Sequence, residues 1–338
     1  MITGHGDDTY LYSGIQMNFS SNIFAHAEMS ELKAHLCRHI DLIGQYPEPI
    51  PQTLAGIIAD KHDISPDRVL VTNGATEAIY LIAQAAASLP CTHFCTGGLP
   101  TFSEYEDASA LFGLQRQELL EASAGPTLLW LCNPNNPTGH VYATSEILGL
   151  ARRYAYAVVD QSYEHLTLAP MMTPAEAAAS ANIIQIHSLT KTYAIPGLRI
   201  GYIVAAPEVV QVLRRHVRPW SVNALAIEAG IWLMEHGHAA VCDLAEYLGE
   251  TQRLRRQLNL VPGIKAFPTQ TNFILAESSL ISAARLKELL ASRHHILIRD
   301  ASNFRGLSPC HFRVSTQTRE ENDCLVEAIS EVTSSLFE

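Results

Sequence analysis

The stretch from Ser188 to Gly201 carries a single lysine, Lys191, flanked by hydroxyl residues, with Arg199 eight positions later. A lysine becomes nucleophilic toward a carbonyl when burial or nearby cations lower its pKa. Ser188 and Arg199 offer a hydroxyl and a fixed cation, the donors that a doubly charged phosphate requires. Upstream, the apolar run before Gln161 ends in Asp160. A carboxylate at the end of such a strand lies where open α/β sheets bind ligands, and it can keep a pyridine nitrogen protonated so that the ring draws electrons. Tyr163 and Asn136, the latter in the turn Asn133–Gly139, can both reach a phenolic oxygen on such a ring. The junction Thr72–Glu77 places Ala75 and Thr76 at a helix N-terminus, a ready anion site. Phe102 is a candidate for stacking on the ring face. Read singly, each is an ordinary loop, a glycine turn or a core aromatic. The stretches at Asn133–Gly139, Asp160–Tyr163 and Ser188–Gly201, in this order within sixty-odd residues, together point to pyridoxal 5′-phosphate joined as an imine to Lys191.

Elements that could position these groups follow from the hydrophobic pattern. Short apolar runs alternate with helix-length amphipathic stretches, which predicts an α/β fold with a mainly parallel sheet. Strands are expected at Arg68–Thr72, Thr92–Cys95, Leu128–Cys132, Ala157–Asp160, Ile183–His187 and Ile200–Val204. Helices are expected at Ala75–Ser88, Phe102–Phe112 and Ser145–Tyr154, the last capped by Thr144 or Ser145. After Pro207 the pattern becomes long helical stretches, about 207–217 and 223–258. A shorter αβ unit follows: strand Asn272–Ala276, helix Ser282–Arg293, strands Ile296–Arg299 and Phe312–Val314, and a helix from Arg319 to Leu336. This predicts a large domain over 25–235 and a small one made of 1–24 and 236–338.

Composition narrows the function. The chain has 338 residues, 47% of them hydrophobic and 17% charged, enough to bury a large core. Its net charge is −11, and the longest basic cluster, Arg214, Arg215, His216 and Arg218, reads as a solvated helix end, so no nucleic-acid partner is expected. No run approaches the ~18 apolar residues that cross a bilayer, and the acidic, polar start is unlike a signal peptide. Seven scattered cysteines point to a reducing, cytoplasmic setting rather than a disulfide framework. The His236/His238 and His294/His295 pairs lack matching ligands, so no metal site is expected.

From about Phe19 to Val314 these motifs resemble the fold-type I pyridoxal-phosphate enzymes, the class I/II aminotransferase superfamily. The resemblance implies Lys191 as the Schiff-base lysine, Asp160 on the pyridine nitrogen, and Asn136 and Tyr163 on the phenolic oxygen. It implies Ala75, Thr76, Ser188 and Arg199 on the phosphate, and Arg313 on the substrate α-carboxylate. Tyr46, in Gln45–Glu48, matches a tyrosine that reaches the cofactor phosphate of a neighbouring subunit, which implies a homodimer with shared sites. Within the superfamily the chain is similar to histidinol-phosphate aminotransferases and, more so, to the threonine-phosphate decarboxylases of cobalamin biosynthesis. The segments Gly4–Gly6, Phe19–Ile23, Pro219–Ala224 and Ile296–Leu307 carry that preference. They imply His5 and Arg299 at a substrate phosphate and Asn22 on the substrate side. Gly97–Pro100 departs from the family pattern, which bears on the wall near Phe102.

The implied substrate is a small phosphorylated amino acid or amine. Decarboxylation of L-threonine O-phosphate, transamination, and a cofactor-binding scaffold without turnover are the readings the sequence leaves, in that order. The first two differ only in which Cα bond stands perpendicular to the ring.

Overall fold

A computed structural model describes residues 6–119, 125–237, 239–241 and 243–335. The chain opens with a two-residue strand β1 (Met17–Asn18) and two helices, α1 (Ser30–Arg38) and α2 (Gln52–Lys61). Then come β2 (Val69–Thr72), α3 (Gly74–Ala85), β3 (His93–Thr96), α4 (Glu104–Leu111), β4 (Gln115–Arg116) and β5 (Thr127–Cys132). They are followed by α5 (Thr144–Ala151), β6 (Tyr156–Asp160), α6 (Pro174–Ala178), β7 (Ile183–Ser188), α7 (Leu189–Thr192) and β8 (Gly201–Val204). The remainder comprises α8 (Pro207–Arg214), α9 (Ala224–His236), α10 (Leu244–Leu258), β9 (Ile264–Ala266), β10 (Phe273–Ser278), α11 (Ala283–His294), β11 (Ile296–Leu297), β12 (Arg299–Asp300), β13 (His311–Ser315) and α12 (Arg319–Ser334).

The fold is α/β, as the alternation predicts. Seven strands form one sheet in the order β2-β8-β7-β6-β5-β3-β4, and every neighbouring pair is parallel except those involving β8. Because β8 runs against both neighbours, β2 points the same way as β5, β6 and β7. The C-terminal ends of these four strands, together with the start of β8, therefore share one edge. Cross-strand register makes this concrete: Thr72 and Ser188 both lie opposite Gly201, Cys132 opposite Asp160, and Asp160 opposite Ile186.

Period-two alternation divides the buried strands between two cores. Leu70, Trp130, Val158, Ile186 and Ile203 pack beneath α3, α4 and α8. Val71 and Val204 face α2 and α9 on the other side, while Leu129, Leu131 and Val159 pack on α5. Each fully buried Leu, Ile or Val contributes roughly 1.5–3 kcal/mol, so both faces are strongly specified. Asp160 and Ser188 share the parity of Val158 and Ile186, which directs them to the α3/α4 face.

A second sheet, β12-β13-β10-β9, is antiparallel and packs against α10, α11 and α12. The N-terminal segment joins it: β1 pairs with β11, Phe19 N–H donates to Leu297, and Ser315 N–H donates to Phe19.

Three sequence expectations are corrected. The stretch 223–258 is two helices, because Gly237 leaves the helix in an extended conformation and Asp243 caps a new one through Glu246 N–H. Residues 296–299 do not form one strand: Ile296–Leu297 pairs with β1 and Arg299–Asp300 with β13. Helix α5 starts at Thr144, and its end is held by the Glu146 carboxylate accepting the Ala143 N–H at 2.7 Å rather than by a hydroxyl cap. Among the described residues, no helix is long and apolar enough to cross a membrane.

Candidate active site

At the shared edge of the large sheet opens a pocket whose lining includes Lys191, Asp160, Tyr163, Asn136, Phe102, Ala75, Thr76, Ser188, Arg199, Arg299 and Arg313. Eleven of the residues picked from the sequence thus converge. Asn22 is buried beside the pocket, where its Nδ2 donates to Tyr163 Oη at 3.2 Å. Tyr46 is elsewhere: it is 86% exposed and rests against Trp220 at 5.4 Å between ring centroids. His5 lies outside the described residues.

One pole of the pocket is built for an anion. Gly74 has φ +78°, and a Cβ there would stand 2.6 Å from Arg199 Nη2, so glycine lets the guanidinium close over the start of α3. Gly201 does the same for the backbone, since its Cβ would meet the Ala75 nitrogen at 3.1 Å. The opening N–H groups of a 12-residue helix have no intrahelical acceptor and gather here with Ser188 and Thr190. Thr190 Oγ1 is buried and has no hydrogen-bond partner among the described residues.

A second pole surrounds Asp160. Its Oδ1 accepts from Ser162 N–H at 2.9 Å and Ser162 Oγ at 2.6 Å, while Oδ2 accepts from Tyr105 Oη at 2.8 Å. Burial pushes this carboxyl above its ordinary range, and the Ser162 and Tyr105 hydrogen bonds oppose that shift. A cationic ring nitrogen placed against it would favour the carboxylate. Tyr105 is itself fixed by stacking on Trp130 at 5.2 Å, and Trp130 Nε1 donates to Ser109.

Lys191 stands between the poles. Its Nζ donates to Ser21 O at 2.7 Å and lies 6.0 Å from the Tyr163 ring centroid. Burial first, and then the charge of Arg313, lower its pKa to about 7, which gives a substantial fraction of free amine at neutral pH.

The third pole is cationic. Arg299 and Arg313 face each other across β12 and β13, both only 4% exposed. Arg313 donates to Asn136 Oδ1 and to Ser20 O, and Arg299 to Asn303 Oδ1 at 2.8 Å. Among the described residues neither forms an ion pair with a carboxylate, and Arg313 Nε has no partner. Burial lowers both to about 10, and for Arg299 the charge of Arg313 adds to the effect. The carboxylates of Asp300 and Asp8 act on Arg299 only from a distance, so two buried, adjacent cations with no ion pair among the described residues are costly unless an anion arrives.

These features fit pyridoxal phosphate: an anion cradle, a buried carboxylate for a ring nitrogen, and a neutralisable amine between them. The sequence reading missed Tyr105, Ser162 and Thr190. Asp-x-Ser is a turn signature in which the carboxylate accepts the N–H two residues on, so Ser162 had a local signal. Tyr105 is three residues beyond Phe102, but its reach to Asp160 depends on how α4 packs on the sheet, which no local pattern reveals.

The description "Aminotransferase class I and II" matches residues 14–329. The threonine-phosphate decarboxylase of Salmonella typhimurium is 29% identical over 338 residues, covering 94% of this chain and 91% of that protein. The histidinol-phosphate aminotransferase of Caldanaerobacter subterraneus is 28% identical over 309 residues, covering 86% and 84%. Among solved structures, the L-threonine-O-3-phosphate decarboxylase of Porphyromonas gingivalis superposes with a TM-score of 0.89 at 33% identity, covering 94% of this chain and 100% of that one. The chain belongs to the class I and II aminotransferase family and is a pyridoxal-phosphate-dependent enzyme.

Proposed function

We propose that this enzyme decarboxylates L-threonine O-phosphate to an aminopropanol phosphate. The observation that carries the reading is the pair Arg299 and Arg313, two buried guanidiniums side by side with no carboxylate partner among the described residues. A substrate with two anionic groups would neutralise both. The decarboxylase names of the relatives in Salmonella and Porphyromonas agree with such a substrate.

Pyridoxal phosphate, when bound, supplies a carbonyl for amines and a ring that accepts the electron pair of a bond broken at the substrate Cα. Ala75, Thr76, Ser188 and Arg199 would hold its phosphate, Asp160 its ring nitrogen, and Asn136 and Tyr163 its phenolic oxygen. Phe102 would cover one ring face. Arg313 and Arg299 fix the substrate's carboxylate and phosphate and thereby decide which Cα bond is presented for cleavage. In decarboxylation the Cα–carboxylate bond breaks, CO2 departs, and Lys191 Nζ or water delivers a proton to Cα. Asn22 positions Tyr163, and the family resemblance assigns His5 to the substrate phosphate. Gly6 already lies close to Ser20 and Arg313: a Cβ there would meet Ser20 O at 2.6 Å and Arg313 Nη2 at 3.4 Å. Tyr46, exposed on the surface, would complete the phosphate pole of a second subunit in a homodimer. The cytoplasm is the compartment this reading assigns.

Transamination of a histidinol-phosphate-like amine is the second reading, supported by the Caldanaerobacter relative. The test offers both substrates to purified enzyme. CO2 release from phosphothreonine, absent in a Lys191→Ala control, supports decarboxylation. No release, together with formation of pyridoxamine phosphate from an amino donor, rejects it in favour of transamination.

A further inference from the structure

We propose that His35, His39 and Glu228 form a zinc site that clasps helix α1 to helix α9, outside the pocket described above. His35 lies in the last turn of α1 and His39 is the residue that ends it; their rings lie side by side, 4.3 Å between centroids. Glu228, on α9, lies opposite them: its Oε1 is 2.7 Å from His35 Nε2 and 3.8 Å from His39 Nε2.

The hydrogen bonds determine what faces what. His39 Nδ1 lies 2.9 Å from the His35 carbonyl oxygen, which can only accept, so Nδ1 carries the proton. His39 Nε2, the ring nitrogen left over, stands 3.8 Å from Glu228 Oε1, too far for a hydrogen bond and close enough for both atoms to ligate one ion. The arrangement matches a metal site, where a carbonyl on the far nitrogen orients and polarises a ligating histidine.

Two imidazoles and one carboxylate with an open fourth position are a known zinc donor set. Zinc–ligand bonds of about 2.1 Å put tetrahedral ligands roughly 3.4 Å apart, and the observed 2.7 and 3.8 Å bracket that spacing. The ion would displace the proton that His35 Nε2 donates to Glu228. His35 is braced from behind by Trp232, at 5.8 Å between ring centroids. His39 is 42% exposed along its side chain, which leaves an entry path and room for a water ligand. No sequence motif signals the site, because His35 and Glu228 are 193 residues apart.

The experiment titrates zinc chloride into the cofactor-loaded enzyme at pH 8, which favours neutral imidazole as a ligand. Stoichiometry and affinity are read by competition with a chromophoric chelator. One zinc per chain is expected, with the affinity unchanged in His236→Ala and reduced in Glu228→Gln and in His39→Ala by at least the roughly 10–100-fold that follows loss of a group merely orienting a ligand. Circular dichroism melts confirm that each variant is folded. Absence of stoichiometric uptake by the wild type, or equal uptake by the Glu228→Gln and His39→Ala variants, would show that the cluster is only an ion pair and overturn the proposal. A zinc-dependent change in the cofactor's visible band that persists in both variants would place the ion at the cofactor and overturn it equally.

Discussion

The two ends of the active-site pocket are built on opposite principles. Around Asp160 each charge has been met by the protein: three hydrogen bonds converge on the carboxylate, and the donors are themselves fixed by Trp130 and by the chain turn at Ser162. Around Arg299 and Arg313 the charges meet only neutral hydrogen-bond acceptors, with two cations adjacent and neither in an ion pair among the described residues. The first arrangement suits a resident group that stays through every turnover. The second suits a guest that must arrive, bind through its charge and leave. Hydrogen bonds meet the charge at the Asp160 end in the free protein, whereas the arginine end, held by neutral acceptors at Asn136, Ser20 and Asn303, gains an ion-pair partner only when an anion is bound.

Variants at the two ends should therefore move stability and function differently. The largest effect is expected at the amine between them. Lys191→Ala should reduce product formation by about a thousandfold or more, because the residue both joins the cofactor and moves the proton. Trapping with borohydride should label the wild type at this position and not the variant.

Next in size is Arg299→Met. It should raise KM for a phosphorylated substrate by roughly a hundredfold, in keeping with a lost charge-assisted pair. The same change should raise the melting temperature of the substrate-free protein, because it removes one of two repelling buried charges. A fall in melting temperature would show that Arg299 is a structural cation, and the contrast between the two ends would fail.

Tyr105→Phe is expected to do the opposite. Loss of the donor to Asp160 should cost about 1–1.5 kcal/mol of stability in the free protein and weaken cofactor retention severalfold, with KM for substrate little changed. An unchanged melting temperature would mean that Asp160 is not held in the way its contacts indicate.

The smallest and most graded effect is on pH. With its pKa near 7 in the folded chain against 10.5 in the reference state, Lys191 is neutral above pH 7 and protonated below it. Reloading of cofactor onto the stripped protein should therefore slow about tenfold per pH unit below 7 and level off above. In the same stripped protein the unfolded chain holds a proton that the folded one releases between about pH 7 and 10.5, so this group's contribution to stability improves as pH rises through that window. Reloading that is independent of pH between 6 and 8 would contradict the buried, neutral amine.

The same division runs through what could be read in advance. Lys191, Asp160, Asn136 and the turn at Gly74 were legible because each lies at a strand end and belongs to a short motif whose backbone geometry is local. The strands themselves were legible for a similar reason, since short, largely apolar runs such as Val69–Thr72 and Thr127–Cys132 must be buried on both faces. Arg313 and Arg299 could be named only through a family likeness, and nothing in their surroundings announced that they would be neighbours. Their adjacency comes from the antiparallel register of β12 and β13. The break at Gly237 was missed because helical periodicity persists on both sides of it.

Amino-acid order alone determined the layered α/β architecture and the chemistry of the cofactor end, because hydrophobic period and strand-end motifs act over a few residues. Folding in three dimensions decided which groups meet across long separations. Tyr105 reaches Asp160, two guanidiniums stand side by side, and His35 faces Glu228 because sheet register and helix packing fix those distances. The physical reason is one of range: local preferences shape an element, and only packing between elements determines what its side chains touch.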